Sequence, residues 1–283
     1  MLKPIWAVIR DALPARAHVQ LDHFRFHGRF ANLNHPRTFS EKIAWRKLYD
    51  RDARIPPLVD KIAAREQMAA RFGEDFVIPA LAVYESAAEV DFAALAYPCV
   101  IKPNHASGFN VFLPERPQDE NAARRKLAKV LRHRHERESE EWAYSQIAPR
   151  LLIEPWIQTP YIDGGPHGLV DYKLHTFQGH VFAIQVDLDR HTNHTRSFFD
   201  AEWNAMPFEL LYPRPAHSVP RPEALAEMIR HAEQIGEGFA YVRVDLYEIE
   251  GRAKFGEATF YPGAGLEVFN PSEFDALFGA QWL

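Results

Sequence analysis

Two acidic residues near the C-terminus carry the clearest chemical signal in the sequence. In the stretch VRVDLYEI, strand alternation puts Arg243 and Asp245 on the same face. In KFGEATF, which follows a turn at Gly251, Glu257 and Thr259 share a face. If that turn contains an odd number of residues, Asp245 and Glu257 become direct cross-strand neighbours, with Cβ atoms about 5 Å apart.

Two carboxylates at that separation repel each other unless one holds a proton or a cation lies between them. Hard oxygen ligands of this kind suit Mg²⁺ that carries nucleotide phosphates. The hairpin therefore predicts a magnesium site at Asp245 and Glu257. The alternative is a solvated hairpin face on which Arg243 neutralises both acids.

A lysine followed by a glycine-containing turn is a candidate phosphate site. Lys102 ends the strand VIK and precedes PNHASGFN, in which Ser107 and Gly108 permit a close approach of the backbone to phosphate. Lys173 in DYKLHTF shares a hairpin face with Asp171 and is a second candidate phosphate ligand. The alternatives are an ordinary hairpin turn at Lys102 and a surface ion pair at Lys173.

The strand LLIEPWI is a candidate adenine site. Glu154 lies at its end, where a carboxylate and the adjacent backbone groups can bind an adenine edge, and Trp156 and Ile157 supply apolar contact. The alternative is a strand-end acid at the surface.

Two arginines flank the polar loop HTNHT. Arg190 and Arg196 can hold an anionic substrate through bidentate hydrogen bonds, or they are simply solvated loop residues. His191 and His194 lie between them without a cysteine or a third histidine nearby, so we predict no zinc site.

The elements that must position these residues alternate between helices and short strands. Thr38 and Glu41 have the spacing of a capping box, and they open a helical region that stops at Gly73. Runs at 76–84, 97–104, 109–114 and 150–157 read as strands, and 171–190 reads as a hairpin turned at Gln178-Gly179. A charged stretch at 118–148 reads as helical. The pattern predicts a mixed α/β (α+β) fold made largely of antiparallel sheets.

Composition excludes several classes of protein. The 283 residues carry a formal net charge of −5, without the basic field that drives nucleic-acid binding. The single cysteine, Cys99, excludes an internal disulfide and suits a reducing compartment. No apolar run approaches the roughly 20 residues that span a bilayer, and the N-terminal apolar stretch is too short for a signal peptide. We therefore expect a cytoplasmic protein without a transmembrane segment.

The order of these motifs resembles that of ATP-grasp enzymes. More closely, FANLNHPRTFSEKIAWRKLYDRD, LVDKIAAR, VIKPNHASGFN, LIEPWI, DYKLHTFQGHVFAIQVDLDRHTNHTRSFFD, VRVDLY and FGEATFYPGAG are similar to the TupA-type ATP-grasp family, from about residue 25 to 270. That family is named for teichuronopeptide biosynthesis and is associated with bacterial cell-surface polysaccharides. The resemblance implies an ATP-grasp fold in which two antiparallel-sheet subdomains clamp ATP behind a helical N-terminal portion. It suggests boundaries at 1–96 for the N-terminal portion, 97–165 for the first subdomain and 166–283 for the second.

The resemblance also implies roles for single residues. The nucleotide would be bound by residues from both sheets and the N-terminal part: Lys61, Lys102, Ser107, Gly108, Glu154, Trp156, Ile157 and Lys173. One or two Mg²⁺ ions would be held by Asp245, Glu257 and Thr259, where Thr259 stands in the place of the Asn of many ATP-grasp ligases and is a weaker ligand. The residues themselves indicate Arg243, Lys173 and Arg190 as the catalytic cations, because Arg243 shares a face with the acids and can stabilise the acyl-phosphate oxyanion, and Arg190 can hold an anionic substrate.

The function implied is an ATP- and Mg²⁺-dependent ligase that activates a carboxylate as an acyl phosphate and joins it to an amine. The expected substrate is a surface-polysaccharide precursor such as a uronic acid, with an amino acid or another amine as co-substrate. A lipid-linked acceptor would bring the enzyme into peripheral contact with a membrane. The alternatives are a phosphotransferase, a glycosyltransferase and a non-catalytic polysaccharide-binding module.

Overall fold

A computed structural model describes residues 13–160, 166–168, 170–188 and 194–283. The helices are α1 Ala15–His27, α2 Phe39–Tyr49, α3 Pro56–Val59, α4 Lys61–Phe72, α5 Glu120–Leu131, α6 His135–Ser139, α7 Leu225–Gly236 and α8 Glu273–Gln281. The strands are β1 Ala82–Tyr84, β2 Cys99–Pro103, β3 Val111–Leu113, β4 Leu151–Pro155, β5 Gln158–Pro160, β6 Pro166–Gly168, β7 Asp171–Phe177, β8 His180–Leu188, β9 Thr195–Phe199, β10 Glu209–Leu210, β11 Val242–Ile249, β12 Arg252–Thr259 and β13 Phe269–Asn270. None of the helices in these described ranges is long and apolar enough to cross a membrane.

A five-stranded antiparallel sheet forms the larger half of the fold. Its strand order is β12-β11-β7-β8-β9. The β7–β8 hairpin turns at Gln178-Gly179, as predicted, and both turn residues have positive φ angles, 51° and 80°. Such a two-residue turn matches the right-handed twist of the flanking strands.

The β11–β12 hairpin differs from the prediction in its turn but not in its pairing. Its turn is two residues long, Glu250-Gly251, rather than odd-numbered. Ile249 therefore pairs with Arg252, a register that would place Gly256 opposite Asp245. A β-bulge between Asp245 and Leu246 shifts the register by one residue, so that Asp245 faces Glu257 after all.

A four-stranded antiparallel sheet of order β1-β4-β2-β3 has a hydrophobic core of its own. The strand predicted at 76–84 is shorter than expected, because only Ala82–Tyr84 pairs in this sheet and Glu74–Phe76 forms a 3-10 turn. Pro79 lacks the backbone N–H that a longer strand would need. The returning strand predicted at 109–114 is present as β3, paired with β2.

Helices α2, α3 and α4 pack on the larger sheet, whereas Val19 of α1 packs in a small separate cluster with Ala44 of α2. Helix α2 begins with the predicted capping box of Thr38 and Glu41, and its Phe39 and Ile43 enter the large core together with Met68 of α4. Strand β1, by contrast, belongs to the smaller sheet. The boundaries expected at residues 97 and 166 remain predictions.

The charged stretch 118–148 is less helical than expected. It contains α5, the single-turn α6 and a 3-10 turn at Trp142–Gln146. None of the residues of α6 is buried, so this segment lacks the apolar stripe by which a longer helix would pack.

Candidate active site

Asp245 is the most enclosed acid of the predicted metal site. It lies on β11 with 2% of its surface exposed. The Arg243 guanidinium holds it in a bidentate pair, in which Nε donates to Oδ1 and Nη2 to Oδ2, both at 2.7 Å. Arg243 Nη2 also donates to Thr259 Oγ1 at 3.3 Å, since these two residues face each other across the strands. Asp245 and Arg243 are therefore buried, and the hydrogen bonds of Arg243 to the acid pair go to Asp245.

Lys173 joins three carboxylates in the middle of the sheet. Its Nζ lies 3.1 Å from Asp171, 3.2 Å from Asp245 and 3.8 Å from Asp187, and 6% of its side chain is exposed. Burial acts to lower the pKa of this ammonium, but the surrounding acids outweigh it and raise the pKa. Lys173 is therefore a buried cation rather than part of a surface ion pair.

Glu257 completes the acid pair and is the more accessible of the two. It lies opposite Asp245, and 34% of its side chain is exposed. Burial acts to raise its pKa, but Lys61 and Arg243 lower it to about 2. Glu257 is therefore ionised at neutral pH and partly accessible to solvent.

Lys61 connects this acid to the predicted phosphate turn. It is the first residue of α4, which is capped by the side chain of Asp60. Its Nζ lies 3.4 Å from Glu257 Oε2 and donates to the carbonyl of Ala106 at 3.1 Å, while its backbone N–H donates to the carbonyl of Asn104. A lysine from the N-terminal part therefore bridges both predicted ligand sites.

The predicted nucleotide residues of the smaller sheet also lie together. Lys102 Nζ is 2.5 Å from Glu154 Oε2, across the paired strands β2 and β4. The ring centroids of Trp156 and Phe112 lie 5.2 Å apart, and Ile157, the next residue in the chain, is half-buried. Both the cation predicted for phosphate and the acid predicted for adenine are thus at one end of this sheet.

The turn between β2 and β3 is open on one side. Ser107 and Gly108 are exposed, and Gly108 has a φ of 81°, a conformation that favours glycine. On the other side, His105 Nε2 is 3.2 Å from the carbonyl oxygen of His133, and the ring of His133 lies 4.2 Å from that of Phe109. The charged segment after α5 therefore supports the turn, a contact that sequence spacing does not indicate.

A second cluster of charged and polar side chains lies on β8 and β9, and most of its residues were not predicted from the sequence. Asp187 accepts a hydrogen bond from Arg196 Nε at 2.6 Å and another from the side-chain amide of Gln185 at 2.9 Å. Arg196 continues to Glu267 at 3.1 Å. Burial acts to raise the pKa of Asp187, but Arg196 and Lys173 lower it strongly. The available signal was the pair of polar residues, Gln185 and Asp187, on one face of an otherwise apolar strand.

Arg190, the predicted catalytic cation that flanks the HTNHT loop, lies outside the described residues. Arg196 is described, and it is a buried partner of two acids rather than a solvated loop residue.

The oxygen atoms on the last hairpin suit a Mg²⁺ ion whose remaining ligands are phosphate oxygens and waters. Asp245, Glu257 and Thr259 supply two carboxylates and a hydroxyl on paired strands. Among the described residues, no group of three or more His, Cys, Asp or Glu is arranged to hold a metal by itself. Mg²⁺ is usually bound by one or two carboxylates, with phosphate oxygens and waters completing the octahedron. Two acids are thus enough for a metal that is delivered by ATP.

Several solved structures are similar to this chain at low sequence identity. D-alanine–D-alanine ligase from Bacillus anthracis is 14% identical, with a TM-score of 0.44, and the match covers 85% of this chain and 66% of that enzyme. The ATP-grasp ligase PsnB, complexed with a minimal precursor, is 11% identical with a TM-score of 0.44, covering 85% and 68%. Phosphoribosylamine–glycine ligase from Thermotoga maritima is 12% identical with a TM-score of 0.45, covering 78% and 55%. This chain thus spans about two thirds of the first two enzymes and about half of the third.

No curated protein matches the sequence significantly. The sequence profile of the TupA-like ATP-grasp proteins, in contrast, matches residues 41–283, which includes both sheets and every predicted site residue. The match confirms the resemblance inferred from the ordered motifs, and with it the ATP-grasp fold. The chain belongs to the TupA-like ATP-grasp family.

Proposed function

We propose that the protein is an ATP- and Mg²⁺-dependent ligase that joins a carboxylate to an amine through an acyl phosphate. The observation that carries this proposal is the direct pairing of Asp245 and Glu257, with the buried cations Arg243 and Lys173 on Asp245 and the partly exposed Lys61 on Glu257. A site of this composition suits a polyanion accompanied by a divalent metal, and the family membership supports ATP as that polyanion.

The nucleotide is proposed to bind between the two sheets. Lys102, Glu154, Trp156 and Ile157 form the base and α-phosphate end, where the Lys102–Glu154 pair would open to admit the ligand. The exposed backbone at Ser107 and Gly108 would cover the phosphates, since consecutive N–H groups in such a turn bind anions.

The cations of the larger sheet are proposed to hold the phosphate tail. Lys61 bridges the turn and Glu257, so it is placed to contact a phosphate that lies between them. Lys173 is kept charged by its acids, and Arg243 is fixed by its bidentate pair. Positioning and charge stabilisation of this kind supply most of the catalysis in phosphoryl transfer.

Asp245, Glu257 and Thr259 are the residues proposed to hold Mg²⁺. When bound, the ion would offset negative charge on the β- and γ-phosphates. Arg243 is the group proposed to stabilise the oxyanion of the activated carboxylate, because it lies on the same face as the acids and its geometry is already fixed.

The proposed carboxylate substrate is a precursor of a bacterial surface polysaccharide, for example a uronic acid, and the nucleophile is an amino acid or a related amine. These substrates are proposed because the TupA-type family is associated with bacterial cell-surface polysaccharides. A cytoplasmic location and peripheral contact with a membrane through a lipid-linked acceptor belong to the same proposal.

The test is ³¹P NMR of ATP turnover with Mg²⁺ and a panel of uronic acids, nucleotide-uronates and amino acids. We expect ADP and free phosphate only when an acid and an amine are both present. A new phosphate ester would instead identify a phosphotransferase, and a nucleoside diphosphate released from a sugar donor would identify a glycosyltransferase. Absence of thermal stabilisation by a Mg²⁺ complex of a non-hydrolysable ATP analogue would favour a binding module.

A further inference from the structure

A histidine–aspartate pair adjoins the Lys173 end of the site. His194 immediately precedes β9, and its Nε2 lies 3.1 Å from Asp187 Oδ1. The other oxygen of Asp187 is 3.8 Å from Lys173 Nζ, which in turn is 3.2 Å from Asp245. Three contacts thus connect this histidine to the acid pair across neighbouring strands of one sheet.

The geometry fixes the tautomer and the orientation of the imidazole. Asp187 is held ionised by Arg196 and Lys173, so it accepts a hydrogen bond and Nε2 of neutral His194 is the donor. The Tyr212 ring stacks on the imidazole with 3.7 Å between the centroids. Within the described part of the chain, Nδ1 has no hydrogen-bond partner, and 16% of the side chain is exposed. In this tautomer Nδ1 is the basic nitrogen of His194.

The ligase reaction proposed above needs a base that removes a proton from the amine before the amine attacks. An amine is largely protonated at neutral pH, because the pKa of an amino group is about 8 to 10, and an ammonium has no lone pair with which to attack. Resting on that proposed function, we propose that His194, oriented by Asp187, is the general base that deprotonates the amine nucleophile.

The proposed step transfers two protons from the attacking nitrogen. The ammonium gives one proton to Nδ1 of His194, and the freed nitrogen lone pair attacks the carbonyl carbon of the acyl phosphate. The tetrahedral adduct then breaks its C–O bond to phosphate, and the phosphate leaves with the bonding pair and takes the second nitrogen proton. The products are the amide and hydrogen phosphate, and His194 returns its proton to solvent. A carboxylate–histidine pair is a recurrent arrangement for such proton transfer.

The charged groups around His194 agree with this role. Asp187 stabilises the imidazolium that forms, and Glu267 balances Arg196 on the far side. Tyr212 contacts the ring through its face. The cations nearest to Asp187, Arg196 and Lys173, are both paired with acids.

The experiment measures two nucleophiles with each of three proteins: the wild type, His194→Gln and His217→Gln. His217 is an exposed histidine, and its variant is the control. One nucleophile is the amino acid or amine that supports ATP turnover in the ³¹P NMR panel described above. The other is hydroxylamine, which is neutral at pH 7 and needs no base. With the amine, we expect kcat/KM of His194→Gln to fall about 100-fold and the acidic limb of its pH profile to flatten. With hydroxylamine, hydroxamate formation should change by less than about threefold, and imidazole should partly rescue His194→Ala.

Equal losses with both nucleophiles, or no loss with the amine, would overturn the base assignment, as would a pH profile that the variant leaves unchanged. Thermal unfolding of each variant confirms that the folded protein is being compared. If the wild type releases no phosphate with any acid and hydroxylamine, the ligase proposal itself fails. That result is distinct from a variant that makes hydroxamate but not amide.

Discussion

At the residue scale, acids and cations alternate in the site, and each buried charge is stabilised by the opposite charges beside it. Asp245 is held by Arg243 on one side and Lys173 on the other. Removing one member of such a set leaves another buried and uncompensated, which costs far more than the loss of a surface pair. Glu257 is different, because a third of its side chain is exposed and water can replace its partner.

Because of this difference in burial, we expect Asp245→Asn and Glu257→Gln to have different effects on stability but similar effects on activity. We expect Asp245→Asn to lower the free energy of unfolding by about 3 to 5 kcal/mol, because Arg243 and Lys173 lose their shared acid. Glu257→Gln should change that free energy much less. Both variants should lose at least about 100-fold in Mg²⁺-dependent turnover, since each removes one of the two carboxylates offered to the metal.

Urea denaturation and phosphate release measure the two quantities. Glu250→Gln, in the exposed turn of the same hairpin, is the matched control and should affect neither. Retention of Mg²⁺-dependent turnover in both acid variants would rule out the proposed metal site.

At the element scale, the pairing of the acids depends on one extra residue in β12. The two-residue turn fixes the register near Ile249, and the bulge at Gly256 changes it before Asp245 is reached. A Cβ built on Gly256 would lie 2.8 Å from the Tyr247 ring and 3.0 Å from the Asp245 carbonyl oxygen. Glycine is therefore the residue that this bulge accommodates without displacing its neighbours.

Gly256→Ala should accordingly disturb both the hairpin and the site. We expect a loss of about 1 to 3 kcal/mol in unfolding free energy from overpacking, together with a reduced affinity for Mg²⁺·ATP because Glu257 moves relative to Asp245. Calorimetric binding of a non-hydrolysable ATP analogue, measured well below the unfolding temperature, checks the second effect. Unchanged affinity in the folded variant would show that the site does not depend on the bulge.

At the scale of the whole molecule, the larger core encloses a polar centre. His175 of β7 is 1% exposed; it accepts a hydrogen bond from the Tyr241 hydroxyl at Nδ1 and contacts Gln185 through Nε2. Burial, with Arg243, Arg196 and Lys173 nearby, lowers the pKa of His175 to about 3. The native state therefore keeps this imidazole neutral at pH values at which the unfolded chain protonates it.

The consequence is a stability that falls on acidification. Between the ordinary histidine pKa of 6.5 and the folded value of about 3, the unfolded state binds one proton more than the native state. Unfolding free energy should then drop by about 1.4 kcal/mol per pH unit through this group. Stability contributed by His175 is complete above pH 6.5 and is lost as the pH falls towards 3.

Urea unfolding at pH 7.5, 6 and 5 tests this dependence. Between pH 7.5 and 5, we expect the wild type to lose about 2 kcal/mol more than His175→Gln, while the exposed control His217→Gln should follow the wild type. Parallel curves for the wild type and His175→Gln would contradict the prediction.

Features that depend on neighbouring residues and on the order of the motifs could be predicted without the structure. Alternation placed Arg243 with Asp245, the capping box began α2 at Thr38, and the Gln178-Gly179 dipeptide set the β7–β8 turn. Each follows from backbone dihedrals and side-chain direction within a few residues. The order of the motifs was sufficient to indicate the family that the sequence match then confirmed.

Which charges contact each other depends on the packing of the folded chain. The bulge, not the turn, brought Asp245 opposite Glu257, and the docking of α4 brought Lys61 to that acid. The pairing of His194 with Asp187 likewise depends on the register between β8 and β9. These contacts join residues far apart in the chain or across a strand pair, where a shift of one residue turns a side chain to the opposite face. Local sequence patterns do not fix that register, because it is set by the packing of the whole sheet.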